Sequence, residues 1–145
     1  MSNCGHASIR VMRSDDLDTV MKLWIEGNAD AHDFIPITHW NSNFEAVRGM
    51  IGNADIRVYD DEGVKGFIGL DGDYIAGLFV CRAYRSRGIG KALLDSVKDD
   101  HGSLTLNVYV KNSKALAFYL REGFTRMKED IDEVTGEHEI VMMLS

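Results

Sequence analysis

The sequence predicts an α/β domain built on a mixed sheet. Residues 55–80 read as three strands joined by tight turns, which makes that part antiparallel. After residue 80, strand-like runs alternate with helical ones, so the later strands must be joined by crossovers. "FTRMKEDI" and "EHEIVMML" then close the chain as a hairpin around "DEVTGE".

Taken in order, "SIRVM" (8–12) alternates as a short strand. Ser14 or Asp15 starts a helix whose Leu17, Val20, Met21, Trp24 and Asn28 share helical spacing. "AHDFIPITHW" (31–40) reads as a loop around the one proline, Pro36, and "NFEAVRGMI" (43–51) as a short second helix. In 55–80 the breaks fall at Asp61-Glu62-Gly63 and Asp71-Gly72-Asp73, both suited to hairpin turns. Ile89, Leu93, Leu94 and Val97 form one apolar stripe, so a helix runs from about Gly90 to Asp100 and ends at Gly102. "SLTLNVYV" (103–110) places Leu104, Leu106, Val108 and Val110 on one face. Asn112 or Ser113 caps a last helix that reaches Glu122 and stops at Gly123.

Composition narrows the function. A chain of 145 residues, 45% hydrophobic and 27% charged, suits one soluble domain with one core. It has no apolar run that would span a bilayer and no signal-like start, so a cytoplasmic protein without a membrane partner is expected. A net charge of −7 leaves no basic face for nucleic acid. Cys4 and Cys81 give no support for a disulfide. His6, His32, His39, His101 and His138 lack the spacing of a metal site, so no metal is expected.

The most informative stretch is "CRAYRSRGIGKALLDSV" (81–97). Two glycines at a strand-to-helix junction let the backbone come close to a ligand. The first turn of the helix adds unpaired N–H groups and the positive end of its dipole, and Arg85, Arg87 and Lys91 add full charges. This is a phosphate-site chemistry, although solvated cations beside a glycine loop fit the same residues. A P-loop is excluded by Arg85 and Ala92, and a dinucleotide fingerprint by Leu93.

Arg85-Ser86-Arg87-Gly88-Ile89-Gly90, preceded by "LFVCRAY" and followed by "KALL", closely resembles the acetyl-CoA signature of the GNAT N-acetyltransferase superfamily. "NVYVKNSKALAFYLREGF", with Asn112, Ala115, Phe118, Tyr119, Gly123 and Phe124, resembles the family's second motif at the right distance. The likeness spans nearly the whole chain. Arg82 departs from it, standing where many relatives have proline.

The resemblance implies a six- to seven-stranded, mostly antiparallel sheet splayed at its centre, with about four helices on its two faces. It implies acetyl-CoA as co-substrate. The diphosphate would rest on the amides of Arg87 to Lys91, and the pantetheine arm would pair with Leu78, Phe79 and Val80. An amide near Phe79 or Val80 would polarise the thioester carbonyl. Asn112, Ala115 and Phe118 would flank the arm. Tyr119 matches the family's general acid, although a Tyr at helical spacing among Ala, Leu and Phe also reads as core. The strand "DYIAGLFV" carries no carboxylate after Asp73, so the amine is expected to lose its proton through water, to backbone carbonyls or Asp73. Freeing an ammonium of pKa about 10.4 at neutral pH costs roughly 4 to 5 kcal/mol.

"AHDFIPITHW" would lie over the acceptor mouth. "His-x-Phe-Ile" segments of this kind occur in small bacterial relatives that resemble protein-lysine acetyltransferases. His32, Phe34, Trp40 and Tyr74 are the candidate acceptor-side residues, with His32 a proton relay; the same aromatics also fit a loop anchored to the core. The acceptor is expected to be a small-molecule amine or a protein lysine or N-terminus, and the protein a monomer or homodimer. A coenzyme A-binding module without turnover stays open as the alternative.

Overall fold

The computed structural model describes residues 7–145; Cys4 and His6 lie outside them, and with them the question of a Cys4–Cys81 pairing. The strands are β1 (Ser8–Val11), β2 (Asp55–Asp60), β3 (Val64–Asp71), β4 (Tyr74–Val80), β5 (Leu104–Tyr109), β6 (Thr125–Ile131) and β7 (His138–Leu144). The helices are α1 (Leu17–Ala31), α2 (Ile37–Ile51), α3 (Ile89–Lys98) and α4 (Ser113–Arg121), with short 3-10 turns at Ser14–Asp16 and Arg82–Tyr84. One seven-stranded sheet runs in the order β1-β2-β3-β4-β5-β7-β6. All neighbours are antiparallel except β4 and β5, which are parallel.

That parallel junction is the feature that makes a site. β4 and β5 share one residue pair, Tyr74 with Thr105, and beyond it the two strands diverge. The hairpin-linked half thus pairs fully with itself, as does the half beyond β5, and the seam between them stays open.

Each face of the sheet has its own core. Val20, Met21 and Leu23 of α1 and Ile51 of α2 pack on Ile56, Val58 and Phe67. On the other face Ile89, Leu93, Leu94 and Val97 of α3 and Tyr119 of α4 pack on Ile68, Leu70, Leu104, Leu106, Val108, Ile140 and Met142. The alternation read from β5 holds through Val108; Val110 lies past the strand end and is 37% exposed.

The helix read as 43–51 begins earlier, at Ile37, because Pro36 initiates it. Its extended backbone (φ −56°, ψ 139°) and missing N–H suit a helix start. Trp40, Phe44, Val47 and Ile51 then face inward at spacings of four, three and four. His39 and Trp40 are therefore helical, and the connection shrinks to His32–Pro36.

Gly27 of α1 is a contact requirement. A Cβ there would overlap the Phe79 ring of β4, with Cε1 at 3.0 Å and Cδ1 closer still. Overpacking costs about 1–3 kcal/mol, whereas Ala improves helix propensity by up to about 1 kcal/mol. Gly27→Ala is therefore expected to lower Tm by several degrees. Gly49→Ala, where an added Cβ meets nothing within 4 Å, is expected to raise it slightly in the same thermal melts.

Candidate active site

A cleft of about 820 Å³ opens through the seam. One wall is β4 from Tyr74 to Val80, the other is β5 from Leu106 to Tyr109, and α1, Trp40 of α2 and the start of α4 close it. Leu78, Phe79, Val80, Arg85, Asn112, Ala115, Tyr119, His32, Trp40 and Tyr74 all line it.

The glycine loop adjoins the Val80 end of this cleft: Arg85 lines it, whereas Ser86, Arg87, Gly88, Ile89, Gly90 and Lys91 lie just beyond its walls. Gly88 occupies the N-cap of α3 with φ 81°, a left-handed conformation that glycine adopts without strain. Ser86 is also left-handed, at φ 65°. The first helical bond runs from Ala92 N–H to the Gly88 carbonyl, 3.0 Å, and no side chain caps the end. The amides of Ile89, Gly90 and Lys91 thus have no acceptor within the helix. Space above Gly88 is open, while Ile89 is buried in the core. These are the features a diphosphate requires: bare amides, room and a dipole end.

The cations read as flanking that loop are placed unequally. Arg87 stacks on Tyr84, 4.8 Å from ring centre, and forms no ion pair among the described residues. Lys91 is held by Glu122 at 3.1 Å and Asp95 at 3.4 Å. Arg85 donates to the Val80 carbonyl at 3.1 Å and pairs with Asp30. Arg82 clasps the same carboxylate with two bonds, 3.0 and 2.7 Å. The departure at Arg82 thereby ties the turn before the glycine loop to the end of α1, and these two guanidiniums hold Asp30 below the usual carboxylate range. Phe118 does not line the cleft; its ring sits beside Gly90, 3.8 Å from where a Cβ would stand.

Tyr119 is 8% exposed, edge-on to Phe118 and Phe124, and still reaches the cleft. Burial pushes its phenol well above the usual value, so it stays protonated at neutral pH.

His32 sits among aromatic rings, with Trp40, Phe34 and Tyr109 at centroid distances of 5.6, 5.8 and 5.0 Å. Phe34 stands behind it and borders a separate hollow instead. Asn28 Nδ2 donates to the Trp24 carbonyl, which turns its Oδ1 to His32 Nδ1 at 2.8 Å. Asn112 Oδ1 accepts from Ala115 N–H, which turns its Nδ2 to His32 Nε2 at 3.2 Å. This chain assigns the proton to Nδ1 and leaves Nε2 as acceptor. Both ring nitrogens meet amides, and neither meets an acid or base that would complete a relay.

Burial pulls the His32 pKa down to about 4 from 6.5. The unfolded chain therefore binds one more proton between those values. His32's stabilising contribution is full above about pH 6.5 and is lost as pH falls toward 4. At about 1.4 kcal/mol per pH unit this amounts to roughly 2–3 kcal/mol by pH 4.5. His32→Gln is expected to cut the stability difference between pH 7 and pH 4.5 by that amount in urea melts.

Three carboxylates in the cleft were not found by reading the sequence: Asp30, already described, and Glu139 and Asp132. Glu139, on β7, pairs in register with Tyr109 and accepts Asn107 Nδ2 at 3.1 Å. Asp132, past β6, accepts the Tyr109 hydroxyl at 2.7 Å and the Val134 amide. Asp73 lies elsewhere: it is outside the cleft lining, 3.8 Å from His101. Only the cross-strand register brings residues 132 and 139 to the seam, and no local pattern announces it.

A family model described as an acetyltransferase (GNAT) domain matches residues 48–126. Peptidyl-lysine N-acetyltransferase YiaC of Escherichia coli is 35% identical over 119 residues, covering 80% of this chain and 82% of its own. Peptidyl-lysine N-acetyltransferase YjaB of Salmonella typhimurium is 28% identical over 92% of this chain and 88% of its own. The solution structure of apo YjaB from Escherichia coli superposes with a TM-score of 0.84, at 24% identity over 94% of this chain and 96% of that one. The yncA structure from Salmonella typhimurium, solved with acetyl-CoA, superposes at 0.68 with 16% identity over 96% and 93%.

Proposed function

Because the chain belongs to the GNAT family and is an N-acetyltransferase, we propose that it transfers the acetyl group of acetyl-CoA to lysine side chains of proteins, by direct attack in a ternary complex. The observation that carries this reading is the seam: a protonated phenol in its wall, an aromatic, acidic mouth, and bare amides at the start of α3 just beyond its Val80 end.

Acetyl-CoA supplies an activated thioester. The amides of Ile89, Gly90 and Lys91, with the Arg87 guanidinium, hold its diphosphate. The unpaired edge of β4 at Leu78–Val80 receives the pantetheine as an added strand, and an amide there polarises the thioester carbonyl. Asn112 orients the arm from α4, its own amide positioned by His32. Tyr119 gives its proton to the departing sulfur. Trp40, Tyr74 and Tyr109 wall a passage for an apolar four-carbon stem, and Asp132 and Glu139 favour the cation at its tip.

The lysine assignment has a second support in the names of YiaC and YjaB. Turnover of acetyl-CoA over lysine peptides, polyamines, aminoglycosides and free amino acids, with mass spectrometry of the products, tests it. Lysine Nε-acetyl peptides are the expected product; acetylation confined to small amines would overturn the acceptor class.

A further inference from the structure

The geometry points to Glu139 as the group that takes the proton from the attacking amine, on the sheet face opposite Tyr119; this rests on the acetyltransferase reading above. Leu106 and Val108 point into the α3–α4 core with Tyr119. Asn107 and Tyr109 alternate with them and so project from the other face. Glu139 pairs with Tyr109 and bonds Asn107, which places it on that second face, shared with His32 and Phe34. Acid and base thereby flank the open seam from its two sides. A thioester lying in the seam would have the phenol within its reach on one side and the carboxylate on the other.

The other carboxylates in the cleft are committed. Asp30 is held by Arg82 and Arg85, and Asp132 by the Tyr109 hydroxyl and the Val134 amide. Burial alone would raise Asp132, but these donors hold it below the usual range. Glu139 has a single neutral donor, Asn107, and no ion pair among the described residues. Burial raises its pKa, Asn107 opposes this, and the charges of Asp132 and Asp130 add to it. Tyr74 of β4 faces it too: burial first and the Glu139 charge second keep that phenol protonated. Tyr109 of β5 is likewise kept protonated, by burial and then by Asp132. A carboxylate with a raised pKa and no cation is the stronger base among these groups.

The protons balance. The ammonium gives its first proton to Glu139, which later releases it to solvent. The free amine attacks the carbonyl carbon; the C–N bond forms and the C–S bond breaks. Tyr119 protonates the sulfur, and the second proton shed by nitrogen restores the phenol through water.

The test is Glu139→Gln, which keeps the size and the Asn107 bond. With a lysine peptide at pH 7, kcat is expected to fall about 10²-fold, and the acidic limb of the kcat/KM–pH profile set by Glu139 to give way to a rise that continues toward the amine's own pKa of about 10.4. With hydroxylamine, an acceptor already neutral at that pH, most of the rate should remain. Glu139→Asp, which retains a carboxylate, should keep the limb at a reduced rate, so a misfolded Gln variant would not leave the matter undecided. Equal losses with both acceptors would make Glu139 a packing residue and overturn the assignment, as would no loss with either. Calorimetry with acetyl-CoA separates the two readings: wild type that binds none sinks the transferase proposal along with this one, whereas wild type that turns over as fast as Glu139→Gln sinks this one alone.

Discussion

Tyr119→Phe is expected to lower kcat by about 10²-fold or more while leaving the KM for acetyl-CoA within about twofold. A positioned general acid is typically worth 10² to 10⁴ in rate. The hydroxyl is all that the substitution removes, and no described residue hydrogen-bonds it, so folding should be nearly unaffected. The ring remains edge-on between Phe118 and Phe124. Steady-state kinetics at pH 7 with a thermal melt of both proteins checks this. A drop in Tm with an intact kcat would mark Tyr119 as core alone. Tyr74 and Tyr109 serve as comparisons: their phenols also stay protonated, but they border the acceptor mouth on the other side of the seam.

Gly88→Val should weaken acetyl-CoA binding by at least about tenfold. At φ 81° the N-cap of α3 is left-handed, which costs a β-branched residue about 1–2 kcal/mol. The chain can relieve that strain by rotating the loop, and rotation turns the amides of Ile89 to Lys91 away from a shared point. A tenfold change equals about 1.4 kcal/mol, so modest misalignment suffices. Because nothing packs within 4 Å of a Cβ at Gly88, the apo protein should lose little beyond the strain itself. Calorimetry with acetyl-CoA reads the affinity; an unchanged Kd would remove the loop from the diphosphate site.

Much of this architecture was legible because it is written in local periodicity. The stripe Ile89-Leu93-Leu94-Val97 and the alternation Leu104-Leu106-Val108 each specify one buried face, and both faces are buried. Turns at Glu62-Gly63 and Gly72 declare themselves by positive φ that few residues tolerate. The start of α2 was misread for a physical reason: proline interrupts a helix but also begins one, and the inward series Trp40-Phe44-Val47-Ile51 was the evidence that decides between them. The site divides in the same way. Contiguous motifs gave the loop 85–91 and the start of α4. Glu139 and Asp132 belong to a hairpin whose acidic residues look like an ordinary solvated turn. Their place in the cleft depends on β7 pairing with β5, a contact between segments some thirty residues apart. Lys91 shows the reverse: its position suggests an anion partner, yet the fold supplies Glu122 and Asp95.

The single Tyr74–Thr105 pair has a wider consequence. A sheet sewn together at one stitch is mechanically two plates on a hinge, and whatever molecule lies along the tear serves as a splint. At a hundred times its Kd such a splint adds about 2.7 kcal/mol of resistance to unfolding, a sizeable share of the 5–15 kcal/mol typical of a whole domain. The longevity of this protein would then rise and fall with the supply of its own donor substrate: starved of thioester, the enzyme is both idle and more easily taken apart by proteases.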